Sequence, residues 1–183
     1  MPNNSLTDLH GLIWTALMAA LVAAGAYLIV PIGPVPVSLQ PLFVFLAGYA
    51  LGPRRGPLAM GLYMLAGLLG LPVFAGGGAG LGHVFGPTGG YLFGFLAASW
   101  LCGLARTSTL GFTWSSGLAF GGGALLTLYA MGAVWLKFVL SISWTKAWLA
   151  GVVPFIPWDG LKVVAALFCA RHLHRFGLLP GQR

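Results

Sequence analysis

Residues 74–95 read FAGGGAGLGHVFGPTGGYLFGF, a stretch dense in glycine and without one charged residue. Glycine is expected where a backbone turns sharply or lets another surface approach closely. The runs on either side, 42–51 and 58–71 before it and 116–139 after it, are long and apolar. That contrast sets the fold class: turns and close-packed backbone set between lipid-type helices. The stretch divides in two. Phe74–Phe85 reads as an irregular loop. Gly86 suits a cap and Pro87 a first helical position, so a helix is expected from there to about Leu104. Gly86, Gly90, Gly94, Ala98 and Cys102 recur every fourth residue and leave one side of that helix almost bare. Such a seam of small residues predicts a tightly apposed neighbour.

Composition agrees. Of 183 residues, 58% are hydrophobic and only 6% charged, against about a quarter charged in soluble domains. An integral membrane protein is implied. The net charge of +7 comes from basic residues scattered between apolar runs. That is the pattern of topology signals rather than of a nucleic-acid or acidic-lipid surface. Cys102 and Cys169 lie in apolar segments and suggest small filler, with no disulfide framework and no metal spacing. No cleavable leader is expected, since the first residues lack Lys and Arg and the first apolar run is long enough to span.

Upstream, Ser5 and Asp8 have capping-box spacing, and His10–Val30 is apolar for about the length that crosses hydrocarbon. Ala16, Ala20 and Ala24 line one side of this first helix. Two uses fit such a stripe, packing inside the bundle or meeting a helix of another chain. The segment 31–41, PIGPVPVSLQP, excludes a helix through its prolines, and Ser38 and Gln40 are its only side-chain hydrogen-bonding groups. Leu42–Leu51 is short for a crossing, GPRRG (52–56) reads as a tight turn carrying Arg54 and Arg55, and a third helix is expected from Leu58 to Leu71, before Pro72.

Downstream, Arg106–Trp114 is a polar connector and Ser116–Val139 a fifth helix. Ser141–Gly151, with Trp144, Lys146 and Trp148, suits the membrane interface. A sixth helix is expected from Pro157 to His172, followed by a short basic tail. Placing Arg54, Arg55, Arg106, Arg171, Arg175 and Arg183 on one side leaves Lys137, Lys146 and Lys162 on the other. The excess of positive charge then puts the arginines and both termini in the cytoplasm. The Pro-rich and Gly-rich loops and the start of the sixth helix share the outer side. The expected architecture is an all-α integral membrane protein, a six-transmembrane-helix bundle forming a single substrate-binding domain over 1–183.

The chain holds only two acids. Asp8 belongs to the first cap, and Asp159 lies in PFIPWDGLK (154–162), three residues before Lys162 and on the same helical face. A charge in a membrane segment is costly and by default functional. One reading makes the two a self-satisfied pair at the interface, with Lys162 reaching out to water. The other sets them, with the two irregular loops, around an occluded pocket for a ligand bearing both N–H donors and an anion. Enzymatic readings are excluded on chemistry. The histidines His10, His83, His172 and His174 are too dispersed for a metal site, and only His83 in the Gly-rich loop is placed to touch a ligand. No Ser–His–Asp set and no P-loop is present, so no catalytic residue is assigned.

The combination GPVPVSLQ (33–40), LGPRRGPLAMGLYMLAGLLGLPVFAGG (51–77), GPTGGYLFGF (86–95) and PFIPWDGLK resembles the BioY family, biotin-binding S components of energy-coupling factor (ECF) transporters. The resemblance covers nearly the whole chain and is weakest across Thr107–Trp148. It implies six helices with both termini inside, and biotin bound near the outer face beneath the loop between the first two helices. It also implies that Asp159 and Lys162 engage the ligand, with Tyr91, Gln40 and backbone groups of Gly76, Gly77 and Gly78 as further contacts. Ala16 and Ala20, extended by Ala24, match the face on which S components dock a membrane-embedded T subunit. The implied role is biotin capture in a bacterial or archaeal cytoplasmic membrane, with a T subunit and two ATPases supplying the work. Biotin is then cargo, and no cofactor or nucleic acid is called for. Two alternatives are a stand-alone biotin permease and, from another class, a non-binding assembly subunit. Two departures stand out. Trp158 replaces a common Gly before the acid, where it would narrow or cover the pocket mouth, and the first part of the Gly-rich loop has no Asn or Gln.

Overall fold

The computed structural model describes residues 4–31, 34–107 and 112–180, with backbone alone for residues 4–7 and 107. The Ser5 cap, Arg183 and the middle of the 106–114 connector therefore lie outside the described residues. Among the described residues the regular structure is helical apart from one small hairpin and an isolated bridge. In order it forms α1 (Asn4–Gly25), β1 (Ile29–Val30), β2 (Val37–Ser38), α2 (Gln40–Leu68), a 3-10 turn (Ala75–Gly77), α3 (Gly80–Val84), α4 (Gly89–Thr107), α5 (Trp114–Leu140), α6 (Trp144–Gly151) and α7 (Ile156–Arg175).

The first helix stops at Gly25, short of the expected Val30. Gly25 abuts the backbone of Leu39 and Gln40, where a Cβ would come within about 3 Å. The Tyr27 hydroxyl donates to the Pro72 carbonyl, fixing the chain as it leaves the helix. Ile29 and Val30 then pair antiparallel with Ser38 and Val37. Apolarity could not separate helix from strand here, but two consecutive β-branched residues suit the extended form.

The second and third expected helices are both present, numbered together as α2, and they meet at a break at Gly52 rather than across a five-residue turn. The chain reverses at Gly52, with φ 80° and ψ −178°, a region open essentially to glycine alone. The arms fold back so closely that a Cβ on Gly56 would sit 3.1 Å from the Cα of Gly48. The arms begin at Gln40 and just after the bend, and the second ends at Leu68 rather than Leu71. Pro53 follows the bend, where its missing N–H is no loss.

Helix α4 begins at Gly89, two residues after the expected Pro87. Residues 86–88 form a turn closed by the Gly89 N–H on the Gly86 carbonyl (3.1 Å), and the Thr88 carbonyl receives the N–H groups of Tyr91 and Leu92. The stripe of small residues does admit neighbours. A Cβ on Gly90 would strike the Trp135 side chain and Met131 carbonyl of α5, and one on Gly94 would lie 2.8 Å from Leu128. Farther along, Cys102 is buried against Gly48 of α2. Cys169, by contrast, is exposed.

Helix α5 starts from a capping box in which Thr113 and Ser116 each accept the other's backbone N–H. Ser143 caps α6, and Pro157 occupies the first turn of α7. Among the described residues, Asp8–Gly25 and Trp114–Leu140 are each long and apolar enough to cross a membrane, and α6 with α7, bent by 49°, passes as a third when taken together. Arginines gather at one end. Asp8 pairs with Arg55 at 3.6 Å, Arg106 donates to the Ala50 and Pro180 carbonyls, and Arg171 to that of Phe112.

Candidate functional site

At the end opposite the arginines, the hairpin, the Gly-rich loop and α7 close over a cavity with about 540 Å³ of empty space counting its mouth. Val35, Pro36 and Ser38 bring the hairpin to it, Leu92, Phe95, Leu128 and Phe155 give it apolar walls, and Asp159 and Lys162 face it from α7.

The pair is buried, with Asp159 2% and Lys162 8% exposed. Lys162 Nζ donates to Asp159 Oδ1 at 2.5 Å and to the Ser38 carbonyl at 2.7 Å. The second Asp159 oxygen accepts from the Tyr129 hydroxyl at 3.2 Å. Lys162 therefore does not reach out to water, as an interfacial pair would have it do. It lies across the cavity roof and ties the hairpin to α7. Its position follows from local geometry. The α7 chain enters its helix through Phe155, whose carbonyl accepts the Asp159 N–H at 2.8 Å. The first turn then holds an acid near the positive end of the helix dipole.

Gln40 and Tyr91 also line the cavity. Gln40 donates to the Tyr63 hydroxyl at 2.6 Å and accepts from Ser38 Oγ at 3.3 Å. The Tyr91 hydroxyl donates to the Gly151 carbonyl at 2.5 Å. Gly76, Gly77 and Gly78 stand behind Ala75, which lines the cavity in their place. Their N–H groups bond to the carbonyls of Ala26 and Phe74, and the left-handed φ values of 70° and 78° at Gly76 and Gly77 make that turn. Trp158 is 57% exposed and lies outside the cavity, in a shallow groove with Leu28, Val30 and Val37 on the outer side of the hairpin.

Two polar lining groups, Tyr129 and Thr88, were not singled out from sequence. Tyr129 comes from the middle of α5, thirty residues from its partner Asp159, and nothing in its spacing announces it. His83 and Thr88 bring polar atoms to the wall, 3.2 Å apart. The His83 ring stacks on Phe74 with centroids 5.0 Å apart, and burial pushes its pKa below the usual histidine value. Removing the Tyr129 hydroxyl tests the acid's support. Tyr129→Phe is expected to weaken ligand binding by about 1.5–3 kcal/mol, the scale of a hydrogen bond to a charged group. Titration of the purified variant checks this.

On α1, Ala16, Ala20 and Ala24 are all exposed, while Thr15, Met18, Ala19 and Val22 face inward. The alanine stripe is therefore not used inside this chain's own bundle.

Comparison with known proteins adds the following. The model of the BioY family matches residues 1–177. A probable biotin transporter BioY of Pyrococcus horikoshii is 43% identical, with 86% of this chain and 92% of that protein covered. The biotin transporter BioY of Thermotoga maritima is 42% identical, covering 90% and 95%. Among solved structures, the S-component for biotin from an ECF-type ABC transporter superposes with a TM-score of 0.84 at 30% identity, over 96% of this chain and 95% of that one.

Proposed function

This chain belongs to the BioY family, and from that premise we propose that it captures biotin as the S component of an ECF transporter. It is a biotin transporter and not an enzyme. The observation that carries the site assignment is the buried Asp159–Lys162 pair facing a cavity. A carboxylate accepts N–H bonds and an ammonium donates to an anion, which suits biotin's ureido and carboxylate ends. Gln40 and Tyr91 belong to the same binding surface, and Gly76, Gly77 and Gly78 shape the loop behind it. Because Lys162 also holds the Ser38 carbonyl, a ligand anion that draws on the ammonium would bear directly on the hairpin. The protein needs no cofactor of its own.

The transport arrangement that best fits is six spans, counting the two arms of α2 separately and α6 with α7 as one. Both termini and the arginines then face the cytoplasm, and the cavity faces outward. The membrane is the cytoplasmic membrane of a prokaryote. Exposed Ala16, Ala20 and Ala24 form the docking face for a T subunit, which works with two ATPases. Ala20→Phe is accordingly expected to leave biotin binding unchanged and to reduce co-purification with a T subunit several-fold. A variant that co-purifies as well as the parent would remove the docking assignment.

Calorimetry of the purified protein with biotin tests the whole reading, with thiamine and riboflavin as controls. Saturable heat with biotin alone is expected. One observation favours an assembly role instead, since the pair is satisfied by Ser38 and Tyr129 without any ligand. That reading gives no saturable heat. Uptake by cells lacking T and ATPase subunits separates S component from stand-alone permease.

A further inference from the structure

We propose that the cavity between the start of α5 and the end of α7 binds the phosphate of an anionic phospholipid headgroup, held by Arg171 and Arg175. It lies at the end of the molecule away from the biotin cavity and is lined by Phe112, Trp114 and Phe168 and by the basic residues Arg171, His172, His174 and Arg175. The Arg171 guanidinium is already oriented. One nitrogen donates to the Phe112 carbonyl, and its carbon lies 5.5 Å from the Trp114 ring centroid and 5.9 Å from that of Phe112. Arg175 follows four residues later in the same helix, on the same face, and is exposed.

Charge accounting then points outside the chain. There are two acids in 183 residues, and both are engaged elsewhere, Asp8 with Arg55 and Asp159 with Lys162. No side-chain carboxylate of this protein is left to face Arg171 and Arg175. Arg106, by comparison, is served by two backbone carbonyls. Two guanidinium groups at the edge of hydrocarbon favour a counter-anion, and the guanidinium fork matches phosphate oxygens. Trp114 is 42% and Phe168 58% exposed beside them, an exposed aromatic surface of the kind found at membrane interfaces. Basic residues that are scattered along the sequence are thus gathered in space at a lipid-facing corner.

Native mass spectrometry of the full chain in detergent tests this, with phosphatidylglycerol as probe, phosphatidylcholine as zwitterionic control and inorganic phosphate as free anion. Phosphatidylglycerol should be retained preferentially, and Arg171→Gln with Arg175→Gln should weaken its retention roughly thirtyfold. Arg54→Gln, an exposed arginine at the same end but outside the cavity, should retain lipid as the parent does. If the glutamine double variant does not stay monodisperse, the Arg171→Lys, Arg175→Lys variant decides, keeping charge without the fork and showing an intermediate loss. Equal retention of phosphatidylcholine, parent-like retention by the double variants, or an equal loss in Arg54→Gln would each overturn the site. Displacement of the lipid by equimolar inorganic phosphate would overturn the lipid assignment in favour of a free anion.

Discussion

Asp159→Asn and Lys162→Met are each expected to weaken biotin binding by about 2–5 kcal/mol, the usual consequence of stripping one partner from a buried charged contact. The two variants fail differently. Asp159→Asn leaves the Lys162 ammonium in a nearly dry roof, with the Ser38 carbonyl still 2.7 Å away. Lys162→Met leaves a carboxylate whose remaining described partner is the Tyr129 hydroxyl at 3.2 Å, and it also unties the hairpin from α7. Each single change therefore strands a charge, which costs about 3–5 kcal/mol in buried pairs. Stability and binding must be read separately, by thermal unfolding without ligand and by titration. The double variant Asp159→Asn, Lys162→Met distinguishes them. With both charges gone it should unfold later than either single variant, yet bind biotin no better. A double variant that regains binding would show that the pair is scaffold and that other wall groups choose the ligand.

How much of this was legible in the sequence follows from how each feature is encoded. Asp159 and Lys162 were found because charge is rare in this chain and their spacing is helical, so proximity was a local fact. The alanine stripe and the glycine seam were found for the same reason, since periodicity fixes a face without tertiary knowledge. Of the hairpin at Ile29–Ser38, the sequence marks only the part after Val30 as non-helical and carries Ile29 and Val30 in the first helix. The residues Ala26–Val30 are as apolar as the helix before them, and what ends that helix is the approach of Leu39 and Gln40 to Gly25. The prolines and glycines around Gly52 predict a turn there. Its single-residue sharpness depends on one glycine conformation that composition does not reveal. Tyr129 and Thr88 reach the cavity only because α4 and α5 pack at a particular rotation. Ala75, half-buried in the turn before α3, lines the wall, while Gly76, Gly77 and Gly78 do not.

Rotation of α4 against α5 is itself set by the bare face of α4, and Gly90→Leu is expected to lower stability by about 3 kcal/mol through overpacking. A Cβ at this position meets the Met131 carbonyl as well as the Trp135 side chain. A side chain can swing aside, whereas a carbonyl inside a helix moves only with its helix. Separating α4 from α5 would also displace Tyr91 from the Gly151 carbonyl and shift Leu128 and Tyr129 relative to Asp159. The variant should therefore lose biotin affinity along with thermal stability, although Gly90 itself does not line the cavity. Gly123→Ala is the matched control, because a Cβ there has nothing within 4 Å, and it should change the unfolding temperature little. If Gly90→Leu unfolds at the parent's temperature, the helices have room to spare, and the seam of small residues does not determine how the cavity is assembled.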